Sequence, residues 1–231
     1  MPYADALDLQ RAAARARLDG RLGEDLLILL EHPPVVTTGR STKDQNLLLD
    51  REALAARGIE LFDVERGGDV TFHGPGQLVG YPIIDLRRHR EDLHWYLRQV
   101  EGLLIDALAA FGIPAERNEG KTGVWTNGRK IGSIGVHARQ WVTWHGFALN
   151  VTTDLSYFDV MVPCGLPDVV MTSVERELLE RADGACAAPS PTLTDDVREA
   201  VVRAASTAFQ LAPHSVADAQ LRSLIAEPVV S

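Results

Sequence analysis

The stretch Gly123-Val-Trp-Thr-Asn127-Gly128-Arg129-Lys-Ile-Gly-Ser-Ile-Gly-Val136 decides the fold. Its centre is Asn127-Gly128, a pair that favours the two-residue type I′ turn because both central residues need positive φ. The residues on either side read as strands, so the stretch is a hairpin in an antiparallel sheet. With a two-residue turn, Thr126 faces Arg129 and Trp125 faces Lys130. Alternation along the strands then puts Trp125, Lys130 and Gly132 on one face of the ribbon.

Outward from the hairpin, strand and turn signals fill the middle of the chain. Residues 26–31 and 35–38 read as strands separated by Pro33-Pro34, because proline cannot donate to a ladder. Asp50 is an N-cap for a short helix that stops at Gly58. Residues 59–64 and 70–72 read as strands around Gly67-Gly68, followed by strands at 78–84 and 145–151. The strongest helix runs over 91–111, where Leu93, Leu97, Val100, Leu104, Ala107, Leu108 and Phe111 recur at helical spacing. Gly112 and Pro114 end it.

At the ends, residues 4–18 are rich in Ala and Arg and read as a surface helix. Residues 184–191 form an Ala/Pro/Ser-rich link. Beyond it, 195–209 and 216–226 read as helices, the second with Ser215 as its N-cap. There is no repeat at solenoid or propeller periods. A strand-rich middle flanked by helices predicts an α+β sheet rather than a βαβ array.

Composition narrows the function classes. The 231 residues are 45% hydrophobic and 24% charged, which fits an ordinary globular domain. The net charge of −9 argues against a general nucleic-acid binder, since phosphate contact wants a basic face. The clearest local basic stretch is Arg87, Arg88, His89 and Arg90, readable equally as a solvated loop. No apolar run approaches the ~20 residues of a membrane span. The first residues lack the basic-then-apolar pattern of a secretory signal. Cys164 and Cys186 suggest no disulfide framework, and the chain reads as cytoplasmic.

Four places could carry chemistry. Cys164, in Val-Pro-Cys-Gly-Leu-Pro, sits in a tight turn that suits a nucleophilic thiol, although on this fragment alone such a cysteine is more often a small buried hydrophobe. Cys186 lies in the link without polar company. Lys130 beside the hairpin turn is by default a solvated charge. The small residues that follow it (Gly132, Ser133, Gly135) suggest instead that something packs close to that strand. A lysine there could stabilise a thiolate and move protons.

The segment from Arg66 to Gln77 holds four glycines and a proline, and can bring backbone N–H groups against a ligand. It matches neither the dinucleotide fingerprint nor the P-loop. His73 alone would be a structural histidine, and His145-Gly-Phe-Ala-Leu-Asn150 an ordinary buried strand that could also line a pocket. Histidines and cysteines show no metal-ligand spacing, so no metal is expected. A cysteine hydrolase would need an acid to orient a Cys–His pair, and none is evident.

Together these segments resemble the lipoyl(octanoyl) transferase family. The likeness runs through His32-Pro-Pro-Val-Val-Thr-Thr-Gly39, the run from Arg66 to Pro82, and Arg129-Lys-Ile-Gly-Ser-Ile-Gly-Val136. It continues through His145-Gly-Phe-Ala-Leu-Asn150, Pro163-Cys-Gly-Leu166 and Thr172-Ser-Val174. The resemblance implies the fold shared with lipoate and biotin protein ligases, a mostly antiparallel sheet flanked by helices. Residues 1–184 would be the catalytic domain, and 185–231 a link and C-terminal helices packed on it.

Cys164 would be the acyl-thioester nucleophile, with Lys130 lowering its pKa and acting as acid/base. Arg66, Gly67, Gly68, Asp69, Val70, Thr71, Phe72 and His73 would line the acyl-substrate site with Ser133, Ile134, Gly135, Gly146, Phe147 and Ala148. The donor implied is octanoyl–acyl carrier protein. The acceptors implied are lipoyl domains of 2-oxoacid dehydrogenases and the glycine-cleavage H protein. No ATP, metal or other cofactor is expected, nor any nucleic-acid or membrane partner. An ATP-dependent ligase would share the fold but have no use for Cys164 as a nucleophile.

Overall fold

The computed structural model describes residues 1–165, 168–181 and 190–226, with the side chain of Cys164 outside the description. The expected 184–191 link with Cys186 lies largely outside the described residues. In chain order the elements are α1 (Tyr3–Leu18), β1 (Leu26–Leu30), β2 (Val35–Thr38), α2 (Arg51–Ala56), β3 (Glu60–Asp63), β4 (Thr71–His73) and β5 (Gln77–Ile83). Then come α3 (Leu93–Ala109), β6 (Glu116–Asn118), β7 (Lys121–Thr126), β8 (Arg129–Arg139), β9 (Val142–Asn150), α4 (Val174–Arg181), α5 (Leu193–Phe209) and α6 (Asp218–Ile225).

The hairpin joins β7 and β8 of the larger sheet. Asn127 and Gly128 take φ of 49° and 75°, as the type I′ turn requires, and Trp125 pairs with Lys130 and Thr126 with Arg129. Six antiparallel strands follow in the order β1-β5-β9-β8-β7-β6. A second sheet, β3-β2-β4, pairs β2 with β3 in parallel and β2 with β4 antiparallel. The short helix α2 makes the crossover for the parallel pair, capped by Asp50, whose carboxylate accepts from the Ala53 N–H. This is the mostly antiparallel α+β architecture that the sequence predicts.

One face of the large sheet packs on α3 and α5. Val100, Leu103, Leu104, Ala107 and Leu108 of α3 meet Val124, Ile131, Phe147 and Leu149 of the strands, with Val197 and Val201 of α5 behind. The stripe on α3 is turned slightly from the expected one. Tyr96 is fully buried while Leu93 is 40% exposed, because the helix starts only after its N-cap, Asp92. The other face carries α1, which is no surface helix. Ala6, Leu9, Gln10, Ala13 and Ala14 are buried, since alanine lets a helix lie close to β9 and β5. α6 begins at Asp218 rather than 216, and Ser215 does not cap it.

A further difference concerns the face assignment in the hairpin. The register slips by one residue between Trp125 and Val124, so Gly132 stands opposite Val124. A Cβ on Gly132 would point at Leu104 of α3, on the helix side, whereas Lys130 points the other way into a cavity. A β-bulge at Ile131 breaks the simple alternation on which the expectation rests.

Leu104 is fully buried where α3 meets Gly132 and Val124. Leu104→Ala should cost about 2–5 kcal/mol, read as a lower urea midpoint with unchanged slope. A loss below about 1 kcal/mol would show that the helix–sheet layer is packed otherwise.

Candidate active site

The two sheets face each other across a cavity of about 220 Å³. Its floor is the α1-side face of β8 and β9, and its roof is the segment Arg66 to His73. Ser133, Gly135, Gly146 and Ala148 present small side chains or none to it. Ile134 and Phe147 line it through their backbone, because their side chains pack toward α3. The roof closes down at Gly135. A Cβ there would lie 2.8 Å from the Gly67 carbonyl oxygen, and the Gly67 N–H donates to Val136 O at 2.8 Å.

Of the expected roof residues, Arg66, Gly68, Asp69, Thr71 and His73 line the cavity. Gly67 supplies the roof contact just described. Val70 and Phe72 do not line it; they belong to a separate core with Val36, Leu54 and Phe158, and Phe72 stacks on Tyr157 at 4.6 Å. Alternation along β4 sends 71 and 73 one way and 70 and 72 the other. Arg66 is buried, donating to Thr37 O at 2.7 Å, to Thr37 Oγ1 at 2.9 Å and to Gly67 O at 3.1 Å, and so fixes the roof to β2.

Lys130 is the feature that the default reading gets wrong. It is 2% exposed, with Nζ donating to Thr122 O at 3.2 Å and lying 5.6 Å from the centre of the Trp125 ring. Gly123 makes this burial possible. Its φ of +136° is open to glycine, and a Cβ there would come within 2.7 Å of Lys130 Cε. Strand β7 is held in turn by Glu101 of α3, which accepts from the Gly123 N–H at 3.3 Å and pairs with Arg98 and Arg117.

Cys164 lies on a segment strung between the cavity roof and Lys130. On its approach, Val162 N–H donates to Asn46 O at 2.8 Å, and Asn46 Nδ2 donates to Asp69 Oδ2 at 2.6 Å. Residues Pro163–Gly165 form a 3-10 turn in which Gly165 has φ +67° and packs its Cα side against Asp69. After the turn, the Lys130 N–H donates to Val170 O at 2.8 Å and the Thr172 N–H to Lys130 O at 2.9 Å. The Cys164 backbone is therefore tied on one side to Asp69 and on the other to Lys130, both of which line the cavity.

The remaining wall is a cluster of neutral rings that the sequence reading did not assemble: Tyr3, Tyr81 and His145, with His32 behind them. Burial pushes the Tyr3 hydroxyl up to about 12 and raises Tyr81 as well. Burial also pulls His32 down to about 4, His73 down to about 3, and His145 below its ordinary value. The only advance sign of Tyr81 is its place in the Gly-Tyr-Pro end of the long motif; Tyr3 gives none. Glu65 lies 3.7 Å from His145 Nε2, but Arg11 holds it at 2.7 and 3.0 Å and the Trp144 Nε1–H at 2.8 Å.

Hydrogen bonding fixes the His73 tautomer. Asn150 Nδ2 donates to Thr172 O, so Asn150 Oδ1 accepts from Gln77 Nε2 at 2.9 Å. Gln77 Oε1 must then accept from His73 Nδ1–H at 2.8 Å, which leaves Nε2 as the ring's acceptor.

A larger, more open depression of about 510 Å³ is lined by Thr42, Asp44, Leu47, Asp50 and Asp63 among others. Its lining, among the described residues, has no cysteine, lysine, arginine or histidine. Among the described residues no group of three or more His, Cys, Asp or Glu could hold a metal ion. Among them, too, no helix is long and apolar enough to cross a membrane.

Residues 2–204 match the family described as the lipoyl protein ligase A/B catalytic domain. The chain is 52% identical over 191 residues to an octanoyltransferase of Acidobacterium capsulatum, covering 77% of each sequence. It is 44% identical over 212 residues to an octanoyltransferase of a Nostoc species, covering 91% of this chain and 89% of that one. Among solved structures, the bipartite lipoate protein ligase of Thermoplasma acidophilum superposes with a TM-score of 0.66 at 19% identity, over 97% of this chain and 87% of that one. A lipoate-protein ligase A bound with ATP gives 0.65 at 18%, over 94% and 87%. At those identities the structural likeness speaks to the fold, which is the ligase-like fold that the motifs imply.

The buried histidines predict a pH dependence. Between the ordinary value of 6.5 and about 3, an unfolded His73 binds a proton that the folded ring refuses. The stability from neutral His73 is thus complete above pH 6.5 and is lost as pH falls toward 3. Urea unfolding followed down this range should show a falling midpoint, with a shallower fall in His73→Gln. Ring 15N shifts should show the Nδ1–H form; a ring titrating near 6.5 would contradict the assignment.

Proposed function

Because the chain belongs to the lipoyl protein ligase A/B catalytic-domain family, we propose that it transfers octanoyl from octanoyl–acyl carrier protein to a lysine of lipoyl domains through a thioester on Cys164. Relatives at about half identity over most of the chain are octanoyltransferases, and they support octanoyl as the group transferred. The observation that carries the cysteine mechanism is Lys130. An ammonium has been buried against Thr122 and Trp125, and its own backbone is hydrogen-bonded to the segment that bears Cys164.

The chemistry runs in two exchanges. The Cys164 thiolate attacks the donor thioester carbonyl, the carrier's sulfur leaves, and it takes up a proton. The acceptor lysine, as a free amine, then attacks the Cys164 thioester, loses its proton, and expels the Cys164 thiolate as the amide forms. Each exchange moves one proton between sulfur or nitrogen and a nearby base, which is the work assigned to Lys130. Its positive charge favours the thiolate over the thiol. The floor of β8 and β9, with Ser133, Gly135, Gly146 and Ala148, takes the acyl chain under the roof from Arg66 to His73.

The acceptors are the lipoyl domains of 2-oxoacid dehydrogenases and the glycine-cleavage H protein, and the reaction takes place in the cytoplasm. No ATP is used, which separates this reading from a ligase that would activate a free acid.

Intact mass after mixing the protein with octanoyl–acyl carrier protein, without ATP, should rise by one octanoyl group. The gain should be absent in Cys164→Ser and discharged by a lipoyl domain. Lys130→Ala should slow acyl-enzyme formation by about 10²–10⁴-fold and move its pH profile upward. Labelling that appears only with ATP and free acid would overturn the reading in favour of a ligase.

A further inference from the structure

Glu177 is a carboxylate that the acyl-transfer chemistry does not use, yet it is 1% exposed. A buried carboxylate persists only where donors compensate it. Three donors converge on Glu177, and they come from two separate stretches of chain. Thr172 Oγ1 donates to Oε1 at 2.6 Å, and the Arg129 guanidinium lies 2.8 Å from the same oxygen. Asn127 Nδ2 donates to Oε2 at 3.1 Å.

Asn127 and Arg129 frame the turn of the hairpin that carries Lys130. Thr172 lies on the segment returning from Cys164, and its carbonyl holds Asn150. The same two stretches are joined by main chain, through Lys130 N–H to Val170 O and Thr172 N–H to Lys130 O. The residue pairs Lys130 and Met171 in a parallel bridge, a contact of one residue's length. So short a contact has little rigidity of its own, and Glu177 closes it from the side. The other charged groups packed around the hairpin are Lys121, which shares the Trp125 ring, Glu101 of α3 with its partners Arg98 and Arg117, and Arg176 and Glu180 on α4. Glu180 also takes Arg129 but is exposed, where solvent screens the pair.

We propose that Glu177 is a positioning residue for acyl transfer: it locks the hairpin bearing Lys130 to the segment bearing Cys164, and so fixes the ammonium relative to the thiol. The inference rests on the reading that these two residues act together. A full carboxylate is needed because all three partners donate. A glutamine would keep one acceptor for Thr172 and turn an N–H toward Asn127 or Arg129.

The test uses the full chain with Cys186→Ser, so that Cys164 is the single thiol. Two quantities are read: the single-turnover rate of Cys164 acylation by octanoyl–acyl carrier protein, and the rate of iodoacetamide alkylation against pH. Glu177→Gln should fold, acylate about 100-fold more slowly, since a misplacement of ~1 Å costs about that much, and alkylate with a midpoint moved toward the ~8.5 of a free thiol. The donor concentration giving half-maximal rate should not change. Thr172→Val removes one donor, keeps the main-chain bonds, and should shift both quantities the same way by less; it carries the test if Glu177→Gln does not fold.

A lowered Tm with both quantities unchanged would make Glu177 merely structural and overturn the inference. In the same assays wild type and Lys130→Ala report on the underlying reading. If wild-type Cys164 takes no octanoyl, or Lys130→Ala leaves the alkylation midpoint in place, that reading fails and the inference with it. If both controls behave and only the Glu177 and Thr172 variants are silent, the inference alone fails.

Discussion

The structure depends on keeping one ammonium out of water. A buried lysine head needs acceptors and ring faces in place of the water it gives up, so each contact Lys130 makes has a structural purpose. Thr122 offers a carbonyl and Trp125 a ring face. Gly123 permits the approach by having no side chain, and Glu101 reaches out of α3 to hold that glycine in place. The bulge at Ile131 lets a single strand serve two environments. Lys130 points into the cavity, while Ile131 and Gly132 go to the helix side.

Around that point the two sheets divide the labour. The large sheet gives a rigid floor, whose α3 face is filled with leucine and valine and whose α1 face is kept low by small residues. The small sheet gives a roof, fixed by Arg66 to β2 and by Gly67 to β8. The segment through Cys164 is held at both ends by these same structures, at Asp69 and at Lys130. The 3-10 turn Pro163–Gly165 is therefore placed by main-chain and side-chain contacts that reach both sheets.

Much of this was legible before the structure, because local rules govern it. Asn127-Gly128 states its own turn, Asp50 its own cap, and Gly112 with Pro114 its own helix stop. The long glycine-rich motif and Pro-Cys-Gly locate the roof and the turn that bears Cys164. What was not legible depends on groups far apart in the chain. The burial of α1 follows from how close β9 and β5 lie, and no periodicity in an alanine-rich helix announces that. The face of Gly132 turned on a bulge, and a bulge has no composition signal in this hairpin. Val70 and Phe72 sit inside a motif that belongs to the site, yet strand alternation turns them away from it. Tyr3 on α1 and Tyr81 on β5 are neighbours in space but far apart in the chain, and Glu177 joins three partners spread over 45 residues between Asn127 and Thr172.

The central claim is that one cavity, with Lys130 at its wall, receives the acyl group carried by Cys164. An experimental structure of the enzyme trapped with octanoyl on Cys164 tests it most directly. The account predicts the chain lying between the Arg66-to-His73 roof and the floor of Ser133, Gly135, Gly146 and Ala148, with Lys130 Nζ beside the thioester. An acyl chain lodged elsewhere, or a thioester facing solvent away from Lys130, would contradict it.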